Sequence, residues 1–325
     1  MSADLRQAAE LLKVVPWRQQ VSSLMGRADN VQSICDHVRD EDNSAKSKMD
    51  TLIRTAATKI SATELSTQAL LRGRVIMVVP DAQLVTSPSA SGLRDVLAAV
   101  QPHDTIVLRP GFYRGPFRCS VPNITIRGEG DVTLLNTDSL PCLALGQDTE
   151  LIDLKIRQRS REGCAVMVDG EGTVHIRSCE VHATNCCSIE VESGSLVLEN
   201  CMVSSDSCSG IAVGRASAVG GSVTMIGGSV QRCGQHGFHV AKGMLAVSDA
   251  VVSENIRCGI MLEDSQHGAY IHSLLGTAIH SNGECGLFVG RNQVVDTLKG
   301  CTISGESPYF VDPKSSVPIH QLSVM

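Results

Sequence analysis

The chain has 325 residues, a formal net charge of −6 and 42% hydrophobic residues. That apolar fraction is enough for a folded core, which excludes wholesale disorder. A nucleic-acid partner is not expected, because binding phosphates needs clustered Lys and Arg that this acidic chain does not supply. Aromatic residues make up only 3%, which also argues against a surface that stacks bases or sugars.

The chain shows no sign of a membrane span or of secretion. No stretch approaches the ~18 consecutive apolar residues of a membrane-spanning helix, and residues 1–6 lack the basic and then apolar pattern of a secretory signal. We therefore expect a cytoplasmic or other reducing intracellular location, in which the thirteen cysteines stay reduced.

Residues 1–73 differ in composition from the rest of the chain. They hold two of the 29 glycines and carry a net charge of +1, whereas residues 74–325 carry −7. Three apolar stripes with helical i, i+3, i+4 spacing begin at Leu5, Val21 and Met49. We predict a helical docking region over residues 1–73.

Residues 74–325 change to short β-branched runs separated by Gly, Ser, Asn and Asp. Six five-residue segments recur at intervals of 22 to 27 residues, each with Cys, Ser or His, then a small residue, then an apolar–variable–apolar triplet. These segments are residues 164–168, 187–191, 209–213, 236–240, 258–262 and 285–289. Two further strand-like runs accompany most of them, so that each copy holds three short strands.

Three short strands in every copy are typical of a parallel β-helix. One turn cannot bury its apolar side alone, but turns stacked ~4.8 Å apart pair their backbones and enclose a continuous core. We predict a mainly β fold, a single-stranded parallel β-helix of about seven to eight turns over residues 74–303. A short capping helix is expected near 92–100, and an irregular C-terminal tail, which covers the open end, over 304–325.

Three segments ahead of the repeats carry a family resemblance. Residues 91–100 have a helix pattern, residues 103–113 contain Asp104-Thr105-Ile106-Val107-Leu108, and residues 123–130 read Asn-Ile-Thr-Ile-Arg-Gly-Glu-Gly. Together they resemble the first turns of pectin-lyase-like right-handed parallel β-helices, and the resemblance extends over about residues 90–303. It implies right-handedness but no single activity, because this fold hosts many functions.

That family contains polysaccharide lyases, polygalacturonases and uronan epimerases. It also contains non-enzymatic intracellular members, such as the F-box β-helix proteins and the Shc-binding protein family. The cysteine-rich repeats and the missing secretory signal are more similar to the intracellular members. No F-box pattern occurs in residues 1–73, so the resemblance implies no role in ubiquitin ligation.

The motifs of a polysaccharide enzyme are only partly present. Residues 136–138 (Asn-Thr-Asp) and 235–237 (Gln-His-Gly) match parts of the polygalacturonase pattern, but no paired Asp and no Arg-Ile-Lys follow. His236 also falls in the cysteine column, which the register turns inward. The Asp-Pro-His-Glu pattern of uronan epimerases is absent. We therefore assign no catalytic residue and keep a uronan lyase, hydrolase or epimerase as the alternative function.

The cysteines predict core packing rather than a metal site. No Cys-x-x-Cys or His-Glu-x-x-His occurs, and a linear column of thiols cannot surround an ion tetrahedrally. We expect no metal and no cofactor, with buried thiols acting as small apolar residues. Disulfides between adjacent turns remain the less favoured alternative, because the expected compartment is reducing.

Two outward rows are candidate protein-docking surfaces. The variable positions of the repeats give the first row, whose docking residues are Met167, Ala212, His239, Met261 and Phe288, with Glu190 between them. Such an apolar row is expected to lie beneath the chain's own N-terminal helices or beneath a partner. A second row, of Lys155, Arg157, Arg159 and Arg161, would face one side if extended and could bind an acidic partner or simply be solvated.

Two long turns, residues 214–222 and 263–269, could also build a site. They offer Arg215, Glu263, Asp264 and His267, or they are simply solvated loops. Taken together, these features favour a non-catalytic protein-interaction scaffold, or a structural subunit of a larger multi-subunit assembly, whose partners are other proteins.

Overall fold

The computed structural model describes residues 73–81, 92–216, 219–264, 268–318 and 323–324. All of them lie in the second of the two units into which the chain divides, Arg72–Met325. The helices predicted from residues 1–73 lie outside the described residues, so they stay a prediction.

The described strands form three parallel ladders, and each turn of the chain adds one strand to each ladder in the same order. The first ladder consists of β1 (Val75–Val78), β2 (Thr105–Leu108), β5 (Ile124–Gly128), β8 (Thr149–Ile152), the second half of β10 (Val166–Arg177), the second half of β12 (Ile189–Glu199), β15 (Gly221–Ile226), β18 (Gly243–Ser248), β21 (Ala269–Leu275) and β24 (Val294–Lys299).

From β2 onward, each first-ladder strand is followed after a short turn by a strand of the second ladder. The second ladder consists of β3 (Gly111–Arg114), β6 (Val132–Asn136), β9 (Lys155–Gln158), β11 (Glu180–Ala183), β13 (Met202–Ser205), β16 (Ser229–Cys233), β19 (Val251–Ser253), β22 (Ala278–His280), β25 (Thr302–Ile303) and β27 (Ser323–Val324).

The third ladder contains the repeated triplets from which the fold was predicted. It consists of β4 (Phe117–Cys119), β7 (Leu143–Leu145), the first halves of β10 and β12, β14 (Ile211–Val213), β17 (Phe238–Val240), β20 (Ile260–Leu262), β23 (Leu287–Val289) and β26 (Tyr309–Val311). The predicted parallel β-helix is therefore confirmed, with about eight turns.

The core is a stack of columns, because each strand places alternate side chains inside the solenoid. Along the third ladder, for example, Ile189, Ile211, Phe238, Ile260 and Leu287 follow one another and are all fully buried. The cysteine column enters the same interior: Cys164, Cys187 and Cys258 are each no more than 2% exposed. Because similar side chains stack on one another in each column, every turn of the solenoid repeats the same packing.

One helix, α1 (Leu93–Ala99), occurs among the described residues and corresponds to the predicted helix near 92–100. Its Leu93, Val96 and Leu97 are buried, and it packs against β1 and β4. These are the first strands of the first and third ladders, so α1 covers the N-terminal end of the solenoid.

The C-terminal segment differs from the expected irregular tail. Residues after Ser304 add β26 to the third ladder and β27 to the second. Pro308 and Pro313 do not prevent this, because Pro308 directly precedes β26 and Pro313 follows it, where no ladder hydrogen bond from their nitrogens is needed.

Candidate functional site

The predicted docking row is continuous on the outer face of the third ladder. Strand register places Met167, Glu190, Ala212, His239, Met261 and Phe288 side by side in successive turns. Ala212 is buried, and the other members are half-buried. The cover predicted from residues 1–73 lies outside the described residues, so what else contacts this row stays a prediction.

One end of this row is apolar and extends further than the sequence analysis predicted. Phe310 in β26 continues the row beyond Met261 and Phe288. The rings of Phe288 and Phe310 are stacked, with centroids 4.8 Å apart and an interplanar angle of 15°. Phe310 is 51% exposed. Residues 309–311 repeat the apolar–variable–apolar triplet 22 residues after β23 begins, a signal that could have identified this position.

The middle of the row is polar, and two of its ionisable groups are partly desolvated. Glu190 and His239 lie on either side of Ala212. Burial raises the pKa of Glu190, although the nearby Arg215 opposes that shift. Burial lowers the pKa of His239, and Glu263, whose Oε2 lies 3.0 Å from His239 Nε2, opposes it. Because a carboxylate can only accept, His239 Nε2–H is the donor of this hydrogen bond to Glu263.

A pair of thiols lies beside this polar cluster. The sulfur atoms of Cys187 and Cys208 are 2.7 Å apart, and Arg215 Nη1 donates to Cys187 Sγ at 3.3 Å. The hydrogen bond with Cys187 lowers the pKa of Cys208 to about 6, with Arg215 contributing in the same direction. The same hydrogen bond, together with burial, raises the pKa of Cys187 far above its usual range.

The two long turns contribute to the row unequally. Arg215 and Glu263 come from different turns and both reach the polar cluster. Asp264 instead accepts a hydrogen bond from the backbone N–H of Arg291, so it stabilises a turn. His267 lies outside the described residues.

The predicted cationic stripe is only partly formed. The extended segment β9 ends at Gln158, so Arg159 follows the strand and Arg161 lies in the next bend. Lys155 Nζ lies 2.7 Å from Asp131, and Arg157 pairs with Glu180. Two of the four charges are thus matched by carboxylates of neighbouring turns.

The polygalacturonase-like elements have structural roles. Asn136 is buried, and its Nδ2 donates to the carbonyl of Leu140 at 2.7 Å. Its Oδ1 accepts from the backbone N–H of Asp138. His236 is also buried, as its column predicted, and its Nδ1 accepts from the backbone N–H of Cys258 at 3.3 Å. Asn136 therefore stabilises the bend that follows β6, and His236 links two successive turns of the solenoid.

A groove of about 390 Å³ lies at the corner between the first and second ladders. Its polar lining includes Asp153, Lys155, Glu180 and Asn200. Lys155 pairs with Asp131 and Glu180 pairs with Arg157, so the charges of both groove residues are already partly satisfied.

Within the described ranges, no group of three or more His, Cys, Asp or Glu side chains is arranged to hold a metal ion. In the same part of the chain, no helix has the length and apolar character needed to cross a bilayer.

One comparison with known protein families agrees with the solenoid described above. The family model described as a right-handed β-helix region matches residues 164–319, in agreement with the right-handedness that the resemblance implied. No curated protein matches the chain in sequence.

Two solved structures are similar to the chain at 13% identity. One is the pectate lyase Pel9A, which matches 76% of this chain and 79% of its own with a TM-score of 0.42. The other is the A-module of the mannuronan C-5 epimerase AlgE6 from Azotobacter vinelandii, which matches 71% of this chain and 93% of its own with a TM-score of 0.39.

Proposed function

We propose that the protein is a non-catalytic binding platform that docks a protein partner on the outer face of the third ladder. The observation that carries this proposal is the apolar end of the row, Met261, Phe288 and Phe310, with a stacked and half-exposed aromatic pair. Aromatic and methionine side chains are enriched at the centres of protein interfaces.

The charges beside this apolar end indicate the chemistry of the partner. Within three residues of β20, β23 and β26, five carboxylates accompany three cations, and residues 74–325 together carry −7. The carboxylates are Glu263, Asp264, Glu284, Glu306 and Asp312. A segment with apolar anchors and basic flanks complements such a surface. The partner we propose is therefore a protein with a basic, apolar-anchored segment, within a larger assembly.

The charged side chains on other faces support a non-catalytic role. On the first ladder, Arg177 pairs with Glu150 at 2.8 Å and with Glu199 at 3.0 Å. These carboxylates are therefore engaged with a cation rather than available as an acid–base pair.

The docking proposal is tested with a double variant, Met261→Lys with Phe288→Lys. Wild-type and variant chains are used to capture partners from an extract of the source, and each retained protein is then titrated against the purified chains. A directly binding partner with the stated chemistry should bind the variant at least ~30-fold more weakly, because interface anchors contribute ~2 kcal/mol or more.

The matched control is Met202→Lys with Ile226→Lys, which changes two exposed apolar residues on the other two ladders. This variant should bind like the wild type, and thermal unfolding should show that both variants stay folded. If the docking-row variant binds every partner as tightly as the control, the docking proposal is wrong.

An alternative function, a uronan lyase, hydrolase or epimerase, is favoured by one observation, the groove that contains Asp153, Glu180 and Lys155. It predicts that the protein turns over polyuronates. It also predicts that the double variant Asp153→Asn with Glu180→Gln loses this activity. Product analysis after prolonged incubation with polyguluronate, polymannuronate and polygalacturonate tests it, and unchanged substrates would reject it.

A further inference from the structure

We propose that Cys208 and Cys187 form a redox-active thiol pair, in which Cys208 is the peroxide-reactive thiol and Cys187 is the resolving thiol. The pair is built by two adjacent turns of the solenoid, since Cys187 precedes β12 and Cys208 precedes β14. This inference does not depend on the proposed docking function.

The geometry brings three groups together. The two sulfur atoms are 2.7 Å apart, and Arg215 lies 3.3 Å from Cys187 Sγ. Cys208 N–H donates to Ser205 Oγ at 3.1 Å, which orients the turn that carries the thiol. A guanidinium beside a thiol pair stabilises the thiolate form, and the thiolate is the nucleophile.

The two cysteines differ in accessibility, and that difference assigns their roles. Cys208 is half-buried and follows the exposed Asp206 and Ser207, so a small oxidant reaches it. Cys187 is 1% exposed, which disfavours its own thiolate because burial penalises charge. Hydrogen bonding by the Cys187 thiol and the charge of Arg215 lower the pKa of Cys208 to about 6.

The proposed chemistry uses a hydroperoxide, with hydrogen peroxide as the probe. The Cys208 thiolate attacks one peroxide oxygen, the O–O bond breaks, and sulfenic acid and hydroxide form. The Cys187 thiol then attacks the Cys208 sulfur; the S–O bond breaks, and a disulfide and water form. The proton released by Cys208 converts the hydroxide to a second water. Two thiols are thus oxidised to one disulfide, and one hydrogen peroxide is reduced to two waters.

A second thiol pair in the same fold provides an internal control. Cys258 and Cys285 stack in adjacent turns with their sulfur atoms 3.0 Å apart. Both are buried, at 2% and 6% exposed, and the carboxylate of Glu284 lies 3.8 Å from Cys258 Sγ. The neighbouring guanidinium, that of Arg257, pairs with the Glu284 carboxylate rather than with a thiol. This buried thiol–thiol contact should therefore react slowly.

The main experiment compares the two pairs in the reduced full-length protein at pH 6. The hydrogen bond with Cys258 also lowers the pKa of Cys285, so accessibility and the Arg215 guanidinium are what distinguish the two pairs. Cys208 is half-buried, whereas Cys285 is 6% exposed. After timed peroxide exposure and alkylation, peptide mapping should show the Cys187–Cys208 disulfide forming several-fold faster than any Cys258–Cys285 link. Equal rates, or no link between Cys187 and Cys208, would overturn the proposal.

The role of Arg215 is tested by the pH dependence of Cys208 alkylation. In the wild type, the rate should reach half of its maximum near pH 6. Arg215→Ala should move that midpoint upward, and Arg215→Lys should keep it low because the charge is retained. Arg257→Ala, which removes an exposed arginine near the control pair, should leave the Cys208 midpoint unchanged.

The two roles are separated by single substitutions, with thermal unfolding as the check that each variant is folded. In Cys187→Ser, the sulfenic acid on Cys208 has no resolving thiol and should be trapped by dimedone. In Cys208→Ser, dimedone should label Cys187 little. Labelling of Cys187 instead of Cys208 would contradict the assignment.

Discussion

At the scale of single residues, Asp104 joins the residue before β1 to the segment between α1 and β2. Its carboxylate accepts the backbone N–H groups of Arg74 and Gln101, each at 2.8 Å, and the Arg74 guanidinium at 2.5 Å. The hydrogen bonds from the Arg74 side chain are the largest cause of the low pKa of Asp104, which is about 2. The Asp104 side chain is 2% exposed.

Asp104→Asn should lower the free energy of unfolding at pH 7 by about 1 kcal/mol. The full pKa shift corresponds to about 2.5 kcal/mol, but solvent screens the Arg74 head group, which is 54% exposed. Because the folded pKa is below the unfolded value of about 3.9, the stabilisation is complete above that value. It is lost as the pH falls towards 2. Urea unfolding of both chains between pH 7 and 2 measures this difference.

Asp169→Asn is the control for this experiment, because Asp169 is exposed. Its free energy of unfolding should follow that of the wild type at every pH. A constant difference between Asp104→Asn and the wild type down to pH 2 would show that the carboxylate charge is not what stabilises the fold.

At the scale of the element, the turn between the first and second ladders repeats one backbone conformation. Asp153, Ser178, Asn200 and Asp249 all have a φ between 50° and 55°, and Gly276 occupies the equivalent position. This left-handed conformation suits Gly, Asn and Asp, but it costs ~1–2 kcal/mol for most other residues. The corner of the solenoid therefore favours the Asn, Asp and Gly residues that recur there.

Ser178 is an exposed member of this set with φ 50°, so substitutions there change the backbone preference with little effect on packing. Ser178→Val should destabilise the protein by ~1–2 kcal/mol, whereas Ser178→Asn should be neutral or slightly stabilising. Thermal and urea unfolding measure both effects. Ser248→Val, at the end of strand β18, should cost little; an equal loss at both sites would contradict the role assigned to the turn.

These elements also show what the sequence could and could not predict. The three-strand repeat and the inward columns follow from the alternation of side chains, so the triplets that include Val166 and Phe238 identified the third ladder correctly. The contact of Cys208 with Cys187 could not be found this way, because Cys208 lies one position before the repeated column. The approach of Arg215 depends on how a long turn folds back, which no periodicity encodes.

At the scale of the whole molecule, a solenoid is stabilised by contacts between neighbouring turns, and its two ends are exposed unless something covers them. An uncovered end presents unpaired strand edges and apolar core positions, which promote association between chains. At the N-terminal end, α1 covers β1 and β4 with buried Leu93, Val96 and Leu97. An intact cap should therefore prevent association between chains in solution.

Leu97→Asp should weaken the cap, because it places a charge where a leucine side chain is 6% exposed. We expect a loss of at least ~2 kcal/mol in the free energy of unfolding, as for truncation of a buried leucine, and concentration-dependent association through the uncovered end. Urea unfolding and size-exclusion chromatography with light scattering measure the two effects. Ala98→Lys changes an exposed position of the same helix and should alter neither. If Leu97→Asp keeps the wild-type association state at high concentration despite its lower stability, the cap contributes to folding but does not protect the strand edges.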